Sequence, residues 1–231
     1  MSDEPLIKVP VRNKELLETL NRYPELRHDE DFEKYVRLVY ESERSRDQGD
    51  YYTGEEYRKE IVNQGTAHEG FPDYILSYNF KINSMEHQIF TDTAPPVWRN
   101  EFTKKLVELN DKMMNFLATR NNALTVIYPP GGYISWHNNA NAHGFNLIFT
   151  WSETGDGWFK YVDPNTRKVV TVQDQPGWQC KAAYFGSYRE PEKLMYHAAK
   201  TNCWRCTISY IFNETEIAKE FREEILEDIR S

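Results

Sequence analysis

Cysteine is scarce in this chain: three residues, Cys180, Cys203 and Cys206, in a length of 231. An odd number builds no disulfide framework, and a reducing, cytoplasmic compartment is the expectation that follows. No apolar run approaches the length needed to cross a bilayer. The opening segment MSDEPLIKVPVRN has neither the basic start nor the apolar stretch of a secretion signal. Strong positive charge is missing too. The formal net charge is −8, and residues 125–212, with eight Lys/Arg against six Asp/Glu, are only slightly basic. A nucleic-acid partner is therefore unsupported, although not excluded. There is no internal repeat or low-complexity tract. The GG and GDG turns are followed by no helix of the kind a phosphate-binding loop requires.

What is present is material for a core. Aromatic residues make up 14% of the chain, with 15 Tyr, 12 Phe and 6 Trp. Residues 1–120 read as mainly helical, with interruptions. Asp29 or Asp31 is placed to cap a helix through Phe32, Tyr35, Val36, Leu38 and Val39. Thr53 and Glu56 have the spacing of a capping box before TGEEYRKEIV. The stretch 64–98 is irregular, with a short strand at YILSYNFKI, and suits a lid or recognition surface. A helix is expected over roughly 98–119. From residue 121 to 212 the texture changes to short apolar or alternating runs between strong turn signals, the pattern of a sandwich or barrel. Residues 213–231 read as an exposed, acidic, amphipathic helix. One domain is expected, α+β and mainly β, with helices packed at both ends of the chain.

The chemistry-bearing residues converge in the strand-rich part. His137 ends the run YISWH after a Gly-Gly turn, and His197 precedes the last long strand. Arg205 and Thr207 share a face of that strand, because side chains alternate with a period of two. Two imidazoles from different strands can meet at one mouth, and a fixed arginine nearby offers a bidentate clamp for a carboxylate. Cys203 and Cys206, three apart on a strand, face opposite sides and complete no zinc set. His143 lies in a loop, while His68 and His87 fall in the irregular N-terminal part.

In order and spacing, the run from Tyr128 to Phe212 resembles the Fe(II)/2-oxoglutarate-dependent dioxygenases, prolyl-4-hydroxylase-like branch. YPPGGYISWHNN is similar to the strand-turn-strand that delivers that family's first metal histidine. FNLIFTWSETGDGWFKY is similar to the following strand pair, and VQDQPGWQCKAAYF to the strand leading to the last histidine. His197, eight residues before Arg205, has the family's spacing between distal histidine and cosubstrate-binding base. The resemblance implies a double-stranded β-helix (jelly-roll) core. It further implies Fe(II) held by His137, Asn139 and His197, and 2-oxoglutarate bound by Tyr128, Arg205 and Thr207. Tyr133, Trp136, Trp151 and Trp158 would then be pocket walls.

The implied reaction uses O₂ to hydroxylate a C–H bond of a small molecule or protein side chain, with 2-oxoglutarate converted to succinate. No membrane partner is implied, and oligomeric state is left open. One position departs from the family: Asn139 stands where it has Asp or Glu, and the usual non-haem iron site includes a carboxylate. Three outcomes stay open. Asn139 ligates through its carbonyl oxygen, or the position is left to water or another anion (Glu153 and Asp156 lie on the next hairpin), or the metal site is lost. In the last case the chain is a non-catalytic binding or structural protein.

Overall fold

The computed structural model describes residues 5–30, 32–33, 36, 48–64, 75–82, 102–119, 121–140, 142–212 and 214–231. Of the expected helix after Asp29, Phe32 and Val36 are described and helical, while Tyr35, Leu38 and Val39, together with His68, His87 and most of the 64–98 stretch, lie outside the described residues.

Beside a 3₁₀ turn at Leu26–His28 and helical residues between 30 and 36, eleven strands and five α-helices are bounded among the described residues. In chain order they are β1 (Leu6–Val9), α1 (Lys14–Glu25), α2 (Gly49–Tyr52), α3 (Glu55–Gln64), β2 (Ser77–Tyr78), β3 (Phe80–Lys81), α4 (Thr103–Phe116), β4 (Asn121–Tyr128), β5 (Tyr133–His137), β6 (Gly144–Ser152), β7 (Gly157–Val162), β8 (Val169–Gln173), β9 (Gly177–Phe185), β10 (His197–Thr201), β11 (Arg205–Phe212) and α5 (Glu216–Arg230). The strands form two antiparallel sheets, ordered β1-β9-β6-β11-β4-β3 and β2-β5-β10-β7-β8. The fold is α+β. Neither sheet closes into a barrel among the described residues, so the pairing displays two separate ladders.

Period-two alternation sorts the side chains into layers. On β11, Cys206, Ile208, Tyr210 and Phe212 join Leu147 and Phe149 of β6 on the outer face of the six-stranded sheet. That face is covered by Leu16 and Leu20 of α1, Leu109 and Met113 of α4, and Ile225 and Ile229 of α5. The opposite parity points between the sheets, where Tyr128, Ile148, Phe159, Phe185 and Ala199 cluster. The outer face of the second sheet packs Trp136, Val162 and Ala198 against Tyr57 and Ile61 of α3. The Trp136 indole donates to the Thr53 carbonyl at 2.9 Å, so its one polar atom is satisfied on burial.

Several sequence expectations change here. The C-terminal helix is docked rather than exposed along its length: Ile225, Leu226 and Ile229 are buried, while Ile217 and Phe221 stay in solvent. Thr215 caps it, accepting from the Ala218 amide at 3.2 Å. The capping box at Thr53 does not form, because the Thr53 hydroxyl donates to the Gly49 carbonyl at 2.6 Å and closes the preceding turn. β1 arises in the stretch read as helical and adds an edge to β9. β10 is a strand of its own, although His-Ala-Ala-Lys-Thr is poor in the β-branched and aromatic residues that mark strands.

The turn ahead of β5 explains its sequence. Pro130 and Gly131 are its two central residues; Gly131 has φ +80° and the Gly132 amide donates to the Pro129 carbonyl at 2.8 Å. Such a turn favours Pro then Gly at its centre. A Cβ on Gly131 meets no atom within 4 Å, whereas one on Gly132 would stand 2.7 Å from the Pro129 oxygen and 3.0 Å from the Tyr78 oxygen. Gly131→Ala should therefore cost only the left-handed penalty of about 1–2 kcal/mol. Gly132→Ala should cost more, since backbone oxygens cannot step aside. Urea unfolding of the two variants checks the order, and equal losses would contradict it.

Candidate functional site

His137 and His197 are direct partners in the pairing of β5 and β10. The register shifts between His197 and Ala199: His197 faces His137, but Ala199 faces Ile134. Ser135 and Trp136 thus stand against the single residue Ala198, which is a bulge. A bulge breaks the strict alternation of a strand and re-aims a side chain. Ile134 and His137, of opposite parity, consequently both reach the space between the sheets, while Trp136 goes to the outer face.

The two imidazoles are held alike. His137 Nδ1 lies 2.7 Å from the Ser135 carbonyl, and His197 Nδ1 lies 3.0 Å from the Met195 carbonyl. A carbonyl only accepts, so each Nδ1 carries its proton and each Nε2 is left with a lone pair. The ring centroids are 4.1 Å apart and tilted by 53°. Burial drives the His137 pKa well below its ordinary value, with the neighbouring His197 adding to the effect. Burial likewise lowers the His197 pKa to about 4, opposed by its bond to Met195. At neutral pH both rings are uncharged, so no proton need leave before a metal ion binds.

These rings line a cavity of about 350 Å³ between the sheets. Tyr128, Asn139, Arg205 and Thr207 also line it, together with Asn146, Ser209 and Lys81. Its apolar walls include Ile134, Ile148, Phe159 and Phe185. Every ligand candidate named from the sequence therefore meets at one cavity. The proposed aromatic walls do not. Trp136 packs on the outer face of the second sheet and Trp158 packs beside it, while Tyr133 stacks on Tyr52. Trp151 lies under the Arg27 guanidinium on the outside of the first sheet. The residues expected as wall are thus displaced by strand parity and the β5 bulge, and Phe159 and Phe185 take their place. Glu153 pairs with Arg27 at 3.5 Å, and Asp156 accepts from the Asn202 side chain at 3.2 Å. Neither lines the cavity, so neither replaces the missing carboxylate. His143 is exposed. Among the described residues no group of three or more His, Cys, Asp and Glu is placed to hold a metal.

Arg205 is only 2% exposed. Its Nε donates to Asp174 Oδ2 at 2.8 Å and its Nη1 to the Thr207 hydroxyl at 2.6 Å. Its guanidinium sits 5.2 Å from the centre of the Tyr128 ring. Burial raises the Tyr128 hydroxyl pKa to about 12, so it is a neutral donor. Asp174 and its second partner Lys181 were not legible as site residues. Lys181 Nζ lies 3.7 Å from Asp174 Oδ1 and 3.3 Å from the Thr150 hydroxyl, and its side chain is 1% exposed. Burial lowers the Lys181 pKa to about 8, opposed by the attraction of Asp174. Asp174 follows β8 in one sheet, whereas Arg205 and Lys181 belong to the other. One buried carboxylate thus ties the two sheets together against two cations. Gly157 makes room for it, since a Cβ there would stand 2.8 Å from Asp174 Oδ2.

No model of a known protein family matches the chain, and no curated protein sequence does. Among solved structures, it is similar to a prolyl-4-hydroxylase from Pseudomonas putida, at 9% identity and TM-score 0.43, over 90% of this chain and 93% of that one. It is also similar to a dioxygenase for auxin oxidation from rice, at 11% identity and TM-score 0.30, over 90% and 73%. Likenesses this distant carry no argument about activity.

Two measurements follow. Asp174→Asn leaves two buried cations without their anion and should destabilise the protein by about 3–5 kcal/mol in chemical denaturation; a loss under about 1 kcal/mol would show that the pair is not a tie between the sheets. The histidines set a pH dependence. Unfolded, they take up protons near pH 6.5, whereas folded His197 does so only near pH 4. The unfolded state binds more protons between those values, so stability falls as pH drops through them, by roughly 3 kcal/mol for His197. His197→Leu should flatten that slope in urea titrations at pH 7 and 4.5. An unchanged slope would contradict a neutral, buried His197.

Proposed function

We propose that the chain is an Fe(II)/2-oxoglutarate-dependent oxygenase that hydroxylates a C–H bond of its substrate. The observation that carries this reading is the content of one cavity: two neutral imidazoles, each with its Nδ1 tied to a backbone carbonyl, and a buried arginine line it together. The two antiparallel sheets with the site between them suit the double-stranded β-helix implied by the sequence, as a single domain of residues 1–231.

The donor set fits a divalent metal on one condition. His137, His197 and the Asn139 amide oxygen are all neutral, so the ion's charge has to be met by a bound anion. A 2-oxo acid supplies that charge, and Arg205 is there to hold its far carboxylate. His137, His197 and Asn139 would hold Fe(II), which with 2-oxoglutarate and O₂ supplies the oxidising power for C–H cleavage. The protein's own part is positional. The Ser135 and Met195 carbonyls fix both imidazole tautomers. Asp174 and Thr207 take two of the five guanidinium N–H bonds of Arg205 and so orient the remainder toward an acceptor. Tyr128 offers a neutral hydroxyl beside it. Ile148, Phe159 and Phe185 keep water away.

A second reading, a binding protein for small acids without metal chemistry, is favoured by the missing carboxylate at Asn139. An anaerobic titration of the metal-free protein with Fe(II) and then 2-oxoglutarate, following the visible charge-transfer band of the chelate, separates the two. The oxygenase reading predicts a band, and an Fe(II) affinity raised on the order of tenfold by 2-oxoglutarate. Thr207→Val should weaken the band. Asn139→Asp should make Fe(II) binding depend less on the cosubstrate. No band in the natural chain, with 2-oxoglutarate bound all the same, would leave the acid-binding reading.

A further inference from the structure

We propose that the cavity accepts a second acid: a substrate with a carboxylate on a small apolar body, recognised by Lys81. The inference rests on the oxygenase reading, in which Arg205 is committed to the cosubstrate. Lys81 lies on β3, in register with Val126 of β4, and its side chain lines the same cavity as the histidines. It is partly buried, and withdrawal from water alone lowers its pKa. Its charge is felt at His137.

Among the described residues several other lysines have carboxylates: Lys181 has Asp174, Lys193 has Glu190, Lys200 has Asp50 and Lys219 has Glu216, while Lys160 lies over the Trp158 ring. Among the described residues no carboxylate stands against Lys81. An ammonium in an apolar setting without a counter-ion costs free energy that an anionic ligand offsets. The fixed charges on the cavity wall are then two cations, Arg205 and Lys81, in a chain whose net charge is −8. A site with two fixed positive poles suits two anions. Ile75 and Leu124 also line the cavity and give the ligand's body an apolar surface. A volume of about 350 Å³ is at the small end for ligand cavities and, shared with a cosubstrate, restricts the second acid to a small one.

Calorimetry on the full chain tests this, with Zn(II) as a redox-inert ion and 2-oxoglutarate present. The probes are butyrate, hexanoate and phenylacetate, each against its neutral amide. The natural chain should bind at least one carboxylate about tenfold more tightly than its amide. Lys81→Met should erase that difference while leaving 2-oxoglutarate affinity within about twofold, and Lys81→Arg should keep it. The proposal is overturned if no acid is preferred to its amide, or if the preference survives Lys81→Met. It is equally overturned if Lys81→Met loses 2-oxoglutarate as Arg205→Lys does, which would make Lys81 part of the cosubstrate site. Failure of the underlying reading looks different: 2-oxoglutarate would not bind the natural chain, whatever the amide comparison shows.

Discussion

The register that sets His197 opposite His137 is the constraint on which the site depends. Paired strands alone would not suffice, because strict alternation would send Ile134 and His137 to opposite faces. The extra residue in β5 lets both point inward and leaves Trp136 to pack outward against α3. The cost of burying two imidazoles is met by keeping them neutral, each Nδ1 proton given to the backbone carbonyl two residues before it. That same economy leaves two Nε2 lone pairs aimed at the interior, which is what a metal ion requires.

Around this pair the interior is organised by charge. Asp174 answers Arg205 and Lys181 across the space between the sheets, so the carboxylate that holds Arg205 in place also fastens the two sheets together. Two buried cations against one anion leave a positive balance in a protein that is acidic elsewhere. The ladder of backbone hydrogen bonds gives the sheets their form. The ionic tie holds Arg205 in place on the cavity wall.

Much of this was legible in the residues. Strand alternation placed Arg205 and Thr207 on one face, and turn signals located nearly every strand of the C-terminal half. The short apolar run of β1 was hidden in a stretch that reads as helical, and β10 was hidden by two alanines and a lysine with little strand propensity. Asp174 looked like a turn residue in VQDQPG; only the approach of β8 to β11 reveals its partners. The aromatic residues misled for a physical reason. Large rings are as useful on the outer faces, under helices, as in a cavity, and a bulge invisible in the sequence decided which face Trp136 took. Asn139 was visible as a departure, and it lines the same cavity as both histidines.

The most direct test of the central claim is long-range proton–nitrogen NMR of the histidine rings at neutral pH, before and after one equivalent of Zn(II) with 2-oxoglutarate. Two neutral rings protonated at Nδ1 are predicted for His137 and His197, with the Nε2 resonances of both moving together when metal is added. A charged ring, a proton on either Nε2, or a shift confined to one histidine would contradict a shared metal site.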